Sequence, residues 1–527
     1  MESALASAAT ATDARRAAIA ARCSWLLLGA AAVILLTASL RNIGDPWENG
    51  QRGGVAARYS DVAVAHTLAY GLGVTRGMPT FVVELDDGTY QRNVNFHHPP
   101  YYWLYLSLWG YLFGNTPTVL RVGQLVVFLP GLLALFWLVR GRAGPVAAGL
   151  TALLFASAPL VGYYGPMALQ DGAVLGCGLV TLWCFQRHLD APSRGRWLAT
   201  AAMFFVTASW DYSGYWWGPA MFVLALDQTA RWRAVAWVMS FVPVSMLAFA
   251  VLAVHYGFEF GGPLGFVREL LHLMHMEGEM AKGKVDEGAV DLGRFLHAMR
   301  VLFIDYANQF LLGLAVLGSA AAAWVRGAGL RRLAVCALAM LTPGLLNYGA
   351  MIRHAVDHEF WFLHGFAGLA GLAALAPVAG LGLIGRGGVL WRGAGIVLLL
   401  AAGTTVAWGT VRTHQVITHW QYVETNDTIA VVNQALPHLV GCQTTLTSAP
   451  PTTQVQFGLT SLGAYGVDTA EKVRMWFDLA QQIKAKGRIG FVVHPKHRNS
   501  PMTELLDTMA ERLEAGDVWV YRVRLAQ

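Results

Sequence analysis

Charged residues are scarce in this sequence, because Asp, Glu, Lys and Arg together make up only 13% of its 527 residues. A soluble chain of this length carries about twice that fraction, so the composition excludes an ordinary soluble protein. Cysteine is also rare, with five residues, an odd number without the spacing of a metal site. The sequence therefore predicts neither a disulfide framework nor a zinc site.

Apolar residues make up most of the sequence. The chain is 55% hydrophobic and has a mean hydropathy of +0.44, which predicts an integral membrane protein. A net charge of +6 and a pI near 9.1 raise the alternative of a nucleic-acid partner. The arginines, however, lie in groups between apolar segments, as in the loops of a membrane protein, and form no phosphate-binding stripe. We therefore expect a lipid bilayer and no nucleic acid as partner.

Apolar runs of roughly 17–25 residues are long enough for a helix to cross a bilayer. The sequence contains about eleven such segments, near residues 23–41, 118–139, 145–162, 170–187, 197–210, 213–229, 234–255, 302–324, 332–350, 359–384 and 393–411. The fifth and sixth are short and are interrupted by "WDYSGYWWGP". The chain is thus predicted to be a polytopic α-helical membrane protein.

The arginines predict its orientation, because positive residues favour cytoplasmic loops. With residues 1–22 as a cytoplasmic tail, that side holds Arg15, Arg16, Arg22, Arg140, Arg142, Arg187, Arg194, Arg196, Arg231, Arg233, Arg326, Arg331, Arg332, Arg386 and Arg392. The opposite short loops hold one, Arg353. The asymmetry predicts a transmembrane domain over 23–411 with a cytoplasmic N-terminus.

Three larger elements then lie on the outer face. They are a loop over 42–117, a loop over 256–301, and a region over 412–527 in which helical and alternating patterns take turns, as in a small α/β domain. The aromatic stretch 95–114 approaches the length of a span, but a crossing there would place every later arginine group on the wrong side. We therefore expect an interfacial helix on the outer face. A genuine span, paired with a miscounted one elsewhere, is the alternative.

Ionisable residues at the ends of membrane helices are costly and are therefore candidates for a function. At the outer boundary the topology gathers Asp45, Glu48, Asp61, Asp171, Asp211, Asp357, Glu359, His97, His98, His354, His358, Arg58 and Arg353. Carboxylates, aromatic rings and a few cations at that depth suit a lipid-borne anionic substrate. A carboxylate acts as a general base toward a hydroxyl, and cations stabilise a leaving phosphate.

Each of these residues also has an ordinary interpretation. Glu48 fits a solvated loop acid, and Asp171 fits a charge at a helix N-terminus. Asp211 fits a residue that completes a tight turn. His97 and His98, which precede two prolines, fit the start of the interfacial helix.

Taken in order, the motifs resemble a known family. Asp45 and Glu48 after the first span are followed by "ARYSDVAVAHTLAYGLGVTRG" and "NFHHPPYYWLYLSLWGYLFGNTPTVLRV", and then by "YYGPMALQD", "SWDYSGYWWGP" and "RHAVDHEFW". This order, over roughly residues 23–411, resembles the polytopic GT-C glycosyltransferases, such as the protein O-mannosyltransferases and the aminoarabinose transferases of lipid A.

The resemblance implies the site and the reaction. The implied donor is a sugar on polyprenyl phosphate, and the implied acceptor is a hydroxyl of a lipid, polysaccharide or protein on the outer face of the bacterial inner (plasma) membrane. Transfer would invert the sugar, with Glu48 as base and Asp171 positioning the acceptor or a metal ion. The implied substrate-binding residues are Arg58, Tyr59, His97, His98, Tyr163, Asp211, Arg353 and His358.

Two departures from the family pattern leave alternatives open. Where family members carry an acid before the Arg-Tyr pair, this chain reads "GGVAARY", so Asp45 and Asp61 remain alternatives to Glu48 as base. The late loop has Arg353 and no lysine, so either Arg58 or Arg353 binds the phosphate. The sequence leaves dependence on a divalent metal ion open.

Two other functions compete with the enzyme. A transporter or flippase of a lipid-linked substrate would show two similar halves and polar residues at mid-membrane depth, whereas here no repeat is visible and the charges gather at one boundary. The second is an inactive scaffold whose C-terminal region binds an envelope partner. Loss of sugar transfer in Glu48→Gln and Asp171→Asn, with normal membrane insertion, separates the enzyme from both.

Overall fold

The computed structural model describes most of the chain. The described residues are 2–41, 43–44, 60, 62–84, 90–96, 98–281, 292–300, 302–303, 309–325, 327–350, 352, 359–421, 434–435, 437–439, 442–448, 464–466, 469–482, 487–494, 497–515 and 518–525. They form two compact units, one of Met1–Asn42, Gln124–Pro166 and Gln170–Val416, and one of Ile43–Gly123, Met167–Leu169 and Ile417–Gln527.

Helices dominate the chain. They are α1 Glu2–Leu40, α2 Val62–Thr75, α3 Tyr101–Phe113, α4 Pro117–Ala143, α5 Pro145–Ala156, α6 Pro159–Tyr164, α7 Gln170–Asp190, α8 Arg194–Trp210, α9 Trp217–Leu226, α10 Arg231–Met239, α11 Val242–Gly257, α12 Pro263–Ala281, α13 Leu292–Arg300, α14 Gln309–Val325, α15 Ala328–Ala350, α16 Phe366–Gly385, α17 Val389–Gln421, α18 Ala470–Gln482 and α19 Pro501–Met509. The strands are β1 Thr80–Glu84, β2 Tyr90–Val94, β3 Cys442–Thr447, β4 Ala464–Gly466, β5 Gly487–Val493, β6 Glu511–Ala515 and β7 Val518–Leu525.

Two short 3-10 helices within the described residues contribute to the candidate site. We refer to Tyr212–Trp216 as the first 3-10 helix and to Glu359–Gly365 as the second 3-10 helix.

The structure contains long apolar helices of the predicted type. Within the described residues, six helices are long and apolar enough to cross a bilayer, namely Ala17–Leu40, Pro117–Ala143, Arg231–Gly257, Ala328–Ala350, Trp361–Gly385 and Val389–Thr418. The other five predicted spans also coincide with helices, but these are shorter or less apolar. The chain is an integral membrane protein, and the count of eleven crossings stays a prediction.

The aromatic stretch that follows the two prolines forms α3, which has 13 residues. At 1.5 Å per residue its length is about 20 Å, less than the roughly 30 Å of hydrocarbon in a bilayer. This length favours the interfacial interpretation over a complete crossing.

In the first unit, α4 and α7 lie side by side and run in the same direction. Near their N-terminal ends, Gln124 donates from Nε2 to the carbonyl of Gly165 over 2.8 Å, just before α7 begins. Near their C-terminal ends, a Cβ placed on Gly141 would lie 2.5 Å from Gln186 Nε2. The two ends of this helix pair are separated by roughly 24 Å, the rise of the sixteen residues from Gln124 to Arg140.

One end of the first unit, which we call the arginine end, joins three loops predicted to be cytoplasmic. Buried Asp227, after α9, forms an ion pair with buried Arg142 of α4. Arg331 Nη2 of α15 lies 3.8 Å from the other carboxylate oxygen of Asp227. These contacts place the three predicted loops at one end, as the arginine pattern requires, and the side of the membrane that this end faces stays a prediction.

The ion pair makes a testable stability prediction. Asp227→Asn removes one charge of a buried pair and leaves Arg142 uncompensated, so we expect a loss of about 3–5 kcal/mol in the free energy of unfolding. Arg331→Gln is the matched control, because the Arg331 side chain is 80% exposed and such pairs contribute about 0–1 kcal/mol. Thermal unfolding in detergent micelles measures both variants. Equal midpoints for Asp227→Asn and the parent protein would contradict a stabilising role for this pair.

The second unit contains a hairpin and its supporting helices. Strands β1 and β2 are antiparallel, with Thr80 opposite Val94 and Glu84 opposite Tyr90. The Val82 amide donates to Nδ1 of buried His66 over 2.8 Å, which ties α2 to the hairpin. The hydroxyl of Ser60 donates to the carbonyl of Ala168, so the short segment 167–169 belongs to this unit.

Helix α3 is held against the start of α4 in the same unit. The Tyr105 hydroxyl donates to the Gly123 carbonyl over 2.7 Å. Arg121, the arginine of the family-like motif, is buried and donates from Nη1 to the carbonyl of Ile43 over 3.2 Å. The first bond fixes α3 to α4, and the second fixes the start of α4 to the backbone at Ile43.

The C-terminal residues of the second unit include a five-stranded mixed sheet of order β4-β3-β5-β7-β6. Its strand residues alternate as period 2 requires, so Phe491 packs with α18 and α19 while Val492 packs with Leu439 on the other face. The residues 502–516, "MTELLDTMAERLEAG", have a helix-like pattern throughout, but only the first half forms a helix. Helix α19 ends at Met509, and 511–515 pairs with β7 as β6.

Candidate active site

The candidate site lies in the first unit, where both 3-10 helices pack against α15 and against α7. It is at the acid end, which we define by Asp171, Asp211 and His364, and which is opposite the arginine end along α4 and α7. Each of these three side chains comes from a different element. The fold, not a local motif, therefore brings them together.

Asp171 occupies the first turn of α7 and is 5% exposed. A carboxylate there is stabilised by the partial positive charge of the helix N-terminus. The position of this turn is fixed from α4, because the amide of Gln124 binds the carbonyl of Gly165. The ordinary interpretation of Asp171 as a helix-terminal charge is thus correct, but burial makes it more than a surface charge.

Asp211 connects α8 to the first 3-10 helix in an extended conformation. Its Oδ2 accepts hydrogen bonds from the Ser213 amide over 3.4 Å and from the Ser213 hydroxyl over 2.5 Å. The expectation that Asp211 completes a tight turn is therefore confirmed. Burial, together with the negative charge of Asp211, raises the pKa of the neighbouring Tyr212, so its phenol stays protonated at neutral pH.

His364, in the second 3-10 helix, was not among the predicted site residues. It is fully buried, and its Nε2 lies 3.8 Å from Asp171 Oδ1. It also interacts electrostatically with Asp211. Among the described residues its two ring nitrogens have no hydrogen-bond partner, so the imidazole lies beside the Asp171 carboxylate without a hydrogen bond to it.

The place of His364 is set by α15. A Cβ on Gly344 would lie 2.3 Å from the amide nitrogen of Gly365, so only glycine lets α15 approach the second 3-10 helix this closely. One turn further along α15, Asn347 donates from Nδ2 to the carbonyl of Trp361 over 3.0 Å. Both contacts hold the backbone on either side of the histidine.

Trp217, the first residue of α9, forms the apolar side of the site. Its ring is perpendicular to that of His364, at 84°, with 6.5 Å between the centroids. The indole lies directly on the backbone of α7, where a Cβ on Gly178 would be 2.0 Å from Trp217 Cε2. Trp217 is fully buried and therefore excludes water from that side of the imidazole.

Two further predicted residues are described. Tyr163 is buried in α6, which packs against the second 3-10 helix, and its ring is 4.9 Å from that of Tyr164. His98 belongs to the second unit, where its ring lies 5.9 Å from that of Trp103. The remaining predicted site residues lie outside the described part of the chain, namely Glu48, Arg58, Tyr59, His97, Arg353 and His358.

Over the described ranges, no group of three or more His, Cys, Asp or Glu side chains is arranged to hold a metal ion. A divalent metal ion therefore stays a prediction of the resemblance.

Chemically, the acid end offers two buried carboxylates that accept hydrogen bonds and an imidazole that either donates or accepts one. Burying such groups is costly, which makes this cluster a candidate functional site. Groups of these types form hydrogen bonds with the hydroxyls of a polar ligand. One signal could have pointed to His364 from the sequence, because it is the only other histidine in the segment "HEFWFLHGF" after His358.

Comparison with known proteins gives two kinds of match. The sequence model of the dolichyl-phosphate-mannose-protein mannosyltransferase family matches residues 97–258, less than one third of the chain. No curated protein matches the chain by sequence.

Solved structures match over nearly the whole chain. ArnT from Cupriavidus metallidurans, in a crystal structure bound to undecaprenyl phosphate, is 13% identical with a TM-score of 0.55, and the match covers 94% of this chain and 97% of that one. The oligosaccharyltransferase of Archaeoglobus fulgidus in its apo form is 13% identical with a TM-score of 0.54, covering 90% of this chain and 70% of that one. These matches confirm the predicted resemblance to GT-C glycosyltransferases, and the shared feature is the fold.

Proposed function

We propose that this protein is a membrane glycosyltransferase that moves a sugar from a polyprenyl-phosphate donor to a hydroxyl acceptor. The observation that carries the proposal is the buried cluster of Asp171, Asp211 and His364 at one end of the GT-C-like helices. The family match over residues 97–258 supports transferase chemistry. The fold shared with ArnT, which was crystallised with undecaprenyl phosphate, supports a lipid-linked donor.

The reaction is a single displacement with inversion at the anomeric carbon. Glu48 takes the proton of the acceptor hydroxyl as its oxygen forms a bond to the anomeric carbon, and the bond from that carbon to the phosphate oxygen breaks. The electron pair leaves with the lipid phosphate, whose charge Arg58 or Arg353 stabilises. Asp171 orients the acceptor or a divalent metal ion.

The other proposed substrate-binding residues contribute polar contacts or stacking surfaces. They are Tyr59, His97, His98, Tyr163, Asp211 and His358. Aromatic rings offer apolar faces to a sugar, while the carboxylate of Asp211 accepts hydrogen bonds from its hydroxyls.

The proposed location is the bacterial inner membrane, with the arginine end in the cytoplasm and the acid end on the outer face. The gathering of Arg142 and Arg331 around Asp227 supports this orientation, because positive residues favour the cytoplasmic side. The acceptor would then be an outer-face lipid, polysaccharide or protein hydroxyl, and the C-terminal region 412–527 would be extracytoplasmic.

The test compares envelope glycans of a strain lacking the gene with those of the same strain carrying the wild-type gene. Mass spectrometry should show one sugar missing in the deletion strain and restored by the gene. The purified protein in detergent micelles should also transfer sugar from a polyprenyl-phosphate donor, since transfer needs no sealed bilayer.

Each outcome has a direct interpretation. Unchanged glycans in the deletion strain would contradict the proposal. A missing sugar without transfer in micelles, but with movement of the donor lipid across sealed vesicles, would favour the flippase instead.

A further inference from the structure

A cluster of aromatic rings and one arginine lies at the arginine end of the first unit, on α1 and α4. We call Trp25, Phe136, Trp137 and Arg140 the indole cluster. The Arg140 Cζ atom lies 4.7 Å from the ring centroid of Trp137, 5.7 Å from that of Trp25 and 6.0 Å from that of Phe136. The three rings are 5.1–5.7 Å from one another.

Within the described ranges, the guanidinium of Arg140 has no carboxylate as a counter-charge. Its neighbour Arg142 is paired with Asp227, whereas no carboxylate among the described residues lies within ion-pair distance of Arg140. Ring faces attract a guanidinium but accept little of its hydrogen-bonding capacity. The N–H donors of Arg140 are thus available to an anion, and a guanidinium binds phosphate oxygens in pairs.

The cluster also lies on an exposed surface of two candidate membrane spans. Trp25 is 45% and Trp137 is 39% exposed, although both are large aromatic residues. The two helices that carry them, Ala17–Leu40 and Pro117–Ala143, are candidate membrane spans, and Arg140 is in the last turn of the second. Half-exposed indoles at the end of a span are typical of the boundary between hydrocarbon and headgroups.

Apolar surface continues from the cluster toward the middle of the bilayer. Leu133 lies two turns before Arg140 on α4 and is 51% exposed, and Leu26 on α1 is 75% exposed. A ligand that satisfies both parts has an anionic head at the depth of Arg140 and an apolar chain beside α4. The proposed reaction does not use this surface, because it is about 24 Å along α4 from the acid end.

We infer that the indole cluster is a binding site for an anionic phospholipid, whose phosphate is held by Arg140 and whose glycerol region and acyl chain lie against Trp25, Trp137 and Leu133. Charge complementarity favours this occupant over a zwitterionic lipid, since a choline or ethanolamine group would place a second cation beside the guanidinium. The cytoplasmic leaflet, which the arginine end is predicted to face, supplies such lipids.

The test uses the full-length protein, delipidated in a non-ionic detergent and titrated with phosphatidylglycerol or phosphatidylcholine under native mass spectrometry. We expect the parent protein to bind phosphatidylglycerol about 10-fold more tightly than phosphatidylcholine. Arg140→Gln should abolish this preference, and Trp137→Leu should weaken binding of both lipids. Arg194→Gln is the matched control, an exposed arginine at the same end with no ring contact among the described residues.

Thermal unfolding of each variant reports whether it is folded. If Arg140→Gln is not folded, Trp137→Leu still tests the proposal. Equal binding of the two lipids by the parent protein, or unchanged preference in Arg140→Gln, would overturn the inference. The same titration with undecaprenyl phosphate separates the two anionic lipids: a loss of its binding in Arg140→Gln, with binding of phosphatidylglycerol unchanged, would also overturn the inference and would indicate a second site for the donor lipid. None of these outcomes depends on sugar transfer.

Discussion

Glu48→Gln is expected to lower the rate of sugar transfer by about 10²–10⁴-fold, the range of a lost general base. The amide has nearly the same shape as the carboxylate but cannot take the proton of the acceptor hydroxyl. Binding of the donor should change little, so the loss should lie in kcat more than in KM. The measurement is the initial rate of transfer per amount of purified protein. Normal membrane insertion of each variant is checked before purification.

The controls for this prediction come from the same loop. Asp45 and Asp61 are the alternative candidates for the base. Asp45→Asn and Asp61→Asn should retain most of the activity, because Glu48 remains as the base in both variants. A variant at Asp45 or Asp61 that loses activity while Glu48→Gln retains it would move the assignment to that residue. Full activity in all three variants would refute a carboxylate base in this loop.

Asp171→Asn is expected to reduce transfer by about 100-fold. The substitution removes a buried negative charge 3.8 Å from His364 Nε2 while keeping the size of the side chain. The acceptor or metal ion would lose an oriented ligand, and small displacements of a reacting group cost about 10²-fold in rate. Transfer kinetics with varied acceptor concentration should show both a lower kcat and a higher KM.

Asp190→Asn is the matched control, because Asp190 is an exposed acid at the other end of the same helix. It should behave like the parent protein. His364→Gln should give a smaller loss than Asp171→Asn, since glutamine preserves hydrogen bonding beside the two carboxylates. Normal rates in Asp171→Asn would remove this carboxylate from the site and leave only a structural role at the start of α7.

Much of the helical organisation could be predicted from the sequence, since long apolar runs have few alternatives to helix in a membrane. One difference arises at a proline. The segment 145–162 was expected to be one span, but Pro159 cannot continue the hydrogen bonding of α5, and a new helix, α6, begins there. Short helices of this kind are the reason why length and composition select fewer spans than the sequence suggested.

The C-terminal sheet shows the opposite difficulty. The residues "ERLEA" are good helix formers, yet they form β6 because Leu513 and its neighbours pair with β7. The backbone hydrogen bonds to β7, a strand later in the chain, compensate for the low strand propensity of these residues. Local patterns alone could not predict it.

The candidate site was predicted in part. Asp171 and Asp211 could be found because acids are sparse and the arginine pattern placed both at one boundary. His364 was missed although it follows His358 closely, because it looks like one more residue of an apolar span and the two acids are about 150 and 190 positions away in the chain. Only the packing of the second 3-10 helix on α15 brings its ring to the carboxylates.

Gly178 affects this site through the side chain that it lacks. The indole of Trp217 occupies the volume that a methyl group at that position would need, and the imidazole in turn rests edge-on against the indole. The distance between α7 and α9 therefore determines where the ring of His364 stands relative to Asp171. Gly178 sets the distance between α7 and α9, because any larger residue would push the indole of Trp217 away. That distance affects how His364 is aligned with Asp171, which lies seven residues before Gly178 on α7.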